Sequence, residues 1–251
     1  MLGAFAYVAI PRVDDSAFAR QQAADAVLLP RDGSILHVEI LFTETGETEQ
    51  FGHDPRLDLN QRWAFWLDPK GERSREEMTN VEDGSLDQLS VRSGDRIRTF
   101  ANNVRYGTGD SPQLMEWNQP GEPVRSPMGP VLDYVSAEIA SGAAKVVGSK
   151  TIDGEEYWVV EMTMTGDAQL EEKSVATVTL RKSDYRIKSF DRVDTMKNGN
   201  GRCKTVTHFE FAGWQTIAPG ALPEGIFSLE APVKAAPKGT KIEIRDETLP
   251  N

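Results

Sequence analysis

The chain holds three histidines and one cysteine, the side chains best suited to metal binding, nucleophilic attack or proton transfer near neutral pH. His37, His53 and His208 lack the i, i+4 pairing by which one helix offers zinc two ligands. A lone Cys203 excludes a cysteine-rich zinc site and any disulfide within the chain. At the head of a strand it reads as a small half-buried apolar group. His53 and Asp54 adjoin in a polar stretch without further ligands. His208 lies in an apolar-rich strand and reads as a sheet residue. The adjacent acids Glu76-Glu77 and Glu155-Glu156 point to opposite faces of a strand and read as solvated. Gly107-Thr108-Gly109 lacks the flanking pattern of a dinucleotide loop, and no serine sits in Gly-x-Ser-x-Gly. No nucleophile, base and electrophile converge. The expectation is a binding protein, not an enzyme, with no catalytic residue, metal or cofactor.

What remains as a candidate site is apolar. Leu36, Val38, Ile40 and Phe42 recur at every second residue. So do Trp63 and Phe65, then Val160, Met162 and Met164, then Phe209 and Phe211. This spacing puts each set on one face of its strand. Together they line the inner side of a curled sheet, either as an ordinary packed core or as the wall of a cavity. Met162 and Met164 suit an apolar ligand of variable shape. Met115 and Trp117, with Leu114, fall in residues 102–129, where Gly and Pro crowd and a long loop is expected. There they plug or cover the cavity mouth, or pin the loop to the core.

The elements that must position these residues are mostly strands. Alternation predicts strands over 34–44, 62–68, 73–81, 86–92, 97–101, 144–150, 157–165, 175–182, 186–195 and 204–214. Asp-Gly and Asn-Gly turns separate several of them. Residues 46–61 read as a loop or frayed edge. Two helices are expected, one over 17–27 with a narrow stripe of small residues, one over 130–141 with Val131, Leu132, Val135 and Ile139 on one side. The expected fold is mainly β with some α: a large curled antiparallel sheet, an unclosed barrel of about ten or eleven strands wrapped around two helices.

The length, 251 residues, fits one large β domain, and no linker divides it. The net charge of -11 disfavours a nucleic-acid partner. Residues 1–12 open with the apolar run Leu2 to Ile10, too short to span a bilayer. The run is either the remnant of a membrane anchor whose first half is missing or a buried terminal element. Residues 13–251 read as one domain.

Three stretches carry a family resemblance. Trp63-Ala64-Phe65-Trp66-Leu67-Asp68-Pro69 is an aromatic strand ending in Asp-Pro. Val178 to Lys188 is strand, polar turn, strand. Phe227 to Pro232, followed by Pro237-Lys238-Gly239, is a closing Phe, Pro and Pro-x-Gly pattern. In their order these resemble the lipoprotein-carrier superfamily, which includes the LolA, LolB and RseB types and the mycobacterial glycolipid-carrying lipoproteins. The likeness covers residues 34–246. It implies a half-barrel with an apolar cavity for acyl chains, in the periplasm or at the cell surface. The absence of a lipidation cysteine departs from the lipoprotein members. Two functions follow as expectations: a carrier holding a lipid, acyl chain or acylated protein, or a sensory ectodomain, membrane-anchored, that binds a protein partner as the family's regulators do.

Overall fold

The computed structural model describes residues 33–48, 52–53, 58–102, 112–121, 144–165, 173–184, 186–198 and 201–245. Thirteen strands form one sheet. They are β1 (Ile35–Thr48), β2 (Gly52–His53), β3 (Leu59–Asp68), β4 (Arg73–Asn80), β5 (Leu86–Ser93), β6 (Arg96–Ala101), β7 (Gln113–Asn118), β8 (Ala144–Ile152), β9 (Glu155–Thr165), β10 (Lys173–Arg181), β11 (Ile187–Asn198), β12 (Gly201–Ile217) and β13 (Ile242–Arg245). One short helix, α1 (Glu230–Ala235), and a 3-10 turn (Pro219–Ala221) complete the described elements.

The strand order is β13-β7-β6-β5-β4-β3-β1-β12-β11-β10-β9-β8, with β2 attached to β1. Two meanders therefore meet at β1, which pairs with β3 on one side and with β12 on the other. Its register with β12 joins Ile35 to Ile217 and Thr48 to Cys203. The sheet's ends, β13 and β8, are not paired to each other, so it stays unclosed.

The turns are chemically specified. Asp153 and Gly154 have φ of 51° and 82° between β8 and β9, the left-handed pair that lets a two-residue hairpin match the strand twist. After β3, Asp68 accepts from the Gly71 amide at 2.9 Å and from the Arg73 Nε at 3.0 Å. This closes the Asp-Pro turn that sequence placed there.

Register sorts side chains onto two faces. The inner face carries the large core: Leu36, Val38 and Ile40 of β1, Phe65 and Leu67 of β3, Phe211 of β12, Ile187 and Phe190 of β11, Ala176, Val178 and Leu180 of β10, Val160 and Met162 of β9, and Ala144 of β8. A smaller layer lies on the outer face. Leu89, Val91, Phe100 and Leu114 are buried there, as are Phe227 and Pro232 of the closing segment. Residues α1 contributes rest on β5 and β6.

Three sequence expectations change. Residues 46–61 are not a loop throughout: β1 continues to Thr48, β2 is a short strand and β3 begins at Leu59. Extended pairing with β12 stabilises this polar stretch regardless of its composition. Residues 102–129 are not one loop, because 113–118 form β7, held by six paired residues of β6. Pairing is not wholly antiparallel, since β13 runs parallel to β7. The expected helices at 17–27 and 130–141 and the apolar segment 1–12 lie outside the described residues. No helix among the described residues is long and apolar enough to cross a membrane.

Candidate functional site: the apolar inner face

The sheet brings most of the sequence-selected residues together. Leu36, Val38, Ile40, Phe65, Val160, Met162 and Phe211 belong to one buried cluster, and Trp63 and Phe209 pack against it half-buried. Phe42 completes an aromatic wall: its ring centre lies 4.9 Å from those of both Trp63 and Phe209. Trp63 meets Phe65 at 6.4 Å edge-on, and Phe190 meets Phe209 at 5.9 Å edge-on. Such tilted and offset pairs each add about 0.5–1.5 kcal/mol beyond the area they bury. Met164 stands opposite Ser174 in register on β9.

Met115 and Trp117 are placed differently. Both are half-buried on β7, four strands beyond β3. Register puts them on the inner face: Met115 opposite Thr99, Thr99 opposite Ser90, Ser90 opposite Glu76, and Glu76 opposite Phe65. The row between Met115 and the apolar cluster is thus polar, whereas Trp117 stands opposite the buried Ile97. Ser90 and Thr99 share a hydroxyl hydrogen bond of 2.7 Å. Gln61 donates to Asp87 at 2.9 Å and accepts from the Trp63 indole at 3.0 Å. Asp87 reaches this face through the bulge in the β4–β5 register.

Glu76 corrects the solvated reading of Glu76-Glu77. It faces inward, and burial raises its carboxyl above the ordinary carboxylate range. Glu77 points outward, where it accepts from Arg75. The inner face is therefore apolar from β3 to β8 and mixed from β4 to β6, where Glu76, Ser90 and Thr99 alternate with Met78, Ile97 and Ala101.

Sequence reasoning missed Trp158 and Trp214. Both are half-buried and packed on the cluster. Trp158 stands opposite Leu180, and Trp214 opposite Val38. The strict alternation within 157–165 carried the signal for Trp158. For Trp214 the signal is broken by the bulge between Glu39 and Ile40 in the β1–β12 register, which shifts the parity of the strand end.

The histidines and cysteine do not converge. His53 lies 3.1 Å from Asp58 and His208 2.6 Å from Asp191. His37 stacks on Trp66 at 4.6 Å, on the outer face. Cys203 lines a groove of about 560 Å³ at the far ends of β1, β11 and β12, with Lys173, Lys197, Arg202 and Lys204.

Several solved structures are similar to this chain. The crystal structure of MucB in complex with MucA(peri) aligns at 14% identity and a TM-score of 0.41, over 87% of this chain and 61% of the matched one. The complex structure of Pseudomonas aeruginosa MucA/MucB aligns at 15% and 0.40, over 84% and 59%. LprF from Mycobacterium bovis aligns at 12% and 0.35, over 80% and 93%. This chain thus spans about three fifths of the two matched chains in the MucA and MucB structures. No protein-family model matches, and no curated protein matches.

Proposed function

We propose that this chain is an extracytoplasmic binding protein that holds an acyl chain, as a lipid or as part of an acylated protein, against the inner face of its sheet. One observation carries the reading. A continuous apolar cluster, buried at its centre and flanked by half-buried tryptophans, runs over seven adjacent strands, β3-β1-β12-β11-β10-β9-β8, on one side of an unclosed sheet. Binding there draws on apolar area removed from water, at about 25 cal/mol per Å².

The five tryptophans supply the test. Trp63, Trp158 and Trp214 lie on the apolar cluster, whereas Trp66 is on the opposite face. A brominated fatty acid quenches indoles that it touches. Quenching is expected to fall in Trp63→Phe and Trp214→Phe and to persist in Trp66→Phe. Absence of quenching in the unmodified protein, or quenching that follows Trp66, would overturn the proposal. Native mass spectrometry and organic extraction then identify the cargo.

A second reading is a regulatory ectodomain with a protein partner. The edge strand β13 favours it, with Ile242 and Ile244 41% and 74% exposed. Exposed strand edges are templates for a further strand. A photocrosslinker at Ile244 that captures one defined protein in cells supports this reading. Its failure there, with acyl quenching intact, leaves the carrier reading alone.

A further inference from the structure

Two side chains meet at one end of the apolar face, and each carries a buried N–H that makes no hydrogen bond. The indole Nε1 of Trp214 and the guanidinium Nε of Arg186 are both buried atoms without a hydrogen-bond partner. The Arg186 guanidinium lies over the Trp214 ring, 5.5 Å from its centre. A buried donor left unpaired costs about 1–3 kcal/mol, and buried polar groups are otherwise almost always paired. Two such donors, on side chains joined by a cation–π contact, mark a place where an acceptor belongs.

The carboxylate at hand is already engaged. Asp184 Oδ2 is 3.3 Å from Arg186 Nε. The same carboxylate accepts two hydrogen bonds of 2.7 Å from Arg181 and one of 3.2 Å from the Arg186 backbone amide. Lys182, over the Trp158 ring at 4.2 Å, pairs with Glu156. Three cations (Arg181, Lys182, Arg186) thus face two carboxylates (Asp184, Glu156), an excess of one positive charge. Both indoles pack on the apolar cluster on their inner side. Apolar surface therefore runs directly up to the unpaired donors.

We infer that Arg186 and Trp214 form a headgroup site: they receive the anionic oxygen of an amphiphile whose acyl chain lies along the inner face. The inference rests on the acyl-binding reading above and adds the chemistry of the head, a carboxylate or phosphate. Arg186 supplies charge and a donor, and its outer guanidinium nitrogens stay within reach of water. Trp214 supplies one directed donor from an apolar wall.

The test compares oleate, methyl oleate, oleoyl lysophosphatidic acid and inorganic phosphate, each below its aggregation limit, by calorimetry or displacement of a fluorescent fatty acid. Oleate is expected to bind about tenfold or more tighter than methyl oleate, the scale of a charge-assisted hydrogen bond. In Arg186→Gln that ratio falls towards one while methyl oleate affinity is unchanged. Trp214→Phe keeps the ring, loses the N–H and lowers the ratio by a smaller factor. Lysophosphatidic acid at least as tight as oleate extends the site to phosphates and supports it. Equal affinity for oleate and methyl oleate, or a ratio that survives Arg186→Gln, overturns the headgroup site and leaves the acyl-binding reading standing. Inorganic phosphate binding as tightly as the amphiphiles also overturns it, in favour of a free-anion site. Binding of none of the four overturns both.

Discussion

Arg98 on β6 donates to the carbonyl oxygen of Leu229 at 2.8 Å, across 131 positions of sequence. The same guanidinium holds Glu116 of β7 through Nε and Nη2, at 2.8 and 2.6 Å, and Glu230 at 3.0 Å. Arg75 makes a parallel tie to the carbonyl of Ile226 at 3.0 Å. The closing segment is thus fixed to the outer face by two arginine forks, and Phe227 and Pro232 are buried beneath it. Burial works against the charge of Arg98, but its hydrogen bonds to Glu116 and Glu230 outweigh this and hold it more firmly protonated.

Removing that tie leaves the half-buried Glu116 with Arg96 as its partner and frees the closing segment. Arg98→Ala is expected to cost about 3 kcal/mol, the scale for breaking a buried pair by losing one partner. Arg98→Lys recovers only part, because an ammonium cannot make the same fork. Urea denaturation reads the loss. Hydrogen exchange should show the opening concentrated in residues 222–235; uniform exchange would mean that the segment is not held by Arg98.

Glu116 and Glu76 predict opposite responses to pH. The hydrogen bond from Arg96, helped by Arg98 and opposed by burial, holds the Glu116 carboxyl below the ordinary carboxylate range. Its folded pKa is below its unfolded one, so its contribution is present above about 4.5 and is lost as acid protonates it. Glu76 is raised by burial. Its contribution is favourable only below the unfolded pKa and turns against folding as pH rises through the folded value. Glu76→Gln should therefore raise Tm at pH 7 and leave it unchanged near pH 4, whereas Glu116→Gln should lower Tm at pH 7 and lose that effect in acid. A Tm scan against pH of both variants decides it.

Gly71 and Gly84 separate crowding from backbone strain. A Cβ at Gly71 would lie 2.5 Å from Asp68 Oδ2 and 2.7 Å from Arg73 Nε, whereas one at Gly84 meets nothing but needs φ of +68°. Gly71→Ala must displace the pair that the buried Asp68 makes with the half-exposed Arg73 and is expected to cost about 2 kcal/mol. Gly84→Ala bears only the left-handed penalty, about 1 kcal/mol. Combining Gly71→Ala with Arg73→Ala should cost less than the sum, since both disturb one interaction.

Met162 is fully buried at the centre of the apolar face, between Ala176 of β10 and Ala144 of β8. Its two neighbours are small and cannot close a void. Met162→Ala should cost about 3 kcal/mol in urea unfolding. Met162→Leu conserves volume and should cost about 1 kcal/mol or less. A cost for Met162→Ala near zero would mean that the face is loosely filled.

The inner-face residues were legible in proportion to the regularity of their strands. Unbroken alternation at 36–42, 63–65 and 209–211 led to one cluster, because a pleated strand fixes side-chain parity without regard to its partners. Trp214 was missed where a bulge shifts that parity. Glu76 was misread because composition suggests solvation, whereas its neighbours across β3 and β5 enclose it.

The sequence by itself determined ten of the thirteen strands, several of their turns and the apolar stripe on the inner ones, since these depend on residues a few positions apart. It could not determine that β1 pairs with β12, that 113–118 joins β6, that the closing segment crosses to the outer face, or that Arg186 meets Trp214. Each of these joins residues far apart in the chain. Only the register of the assembled sheet brings them within reach of a hydrogen bond or a ring contact.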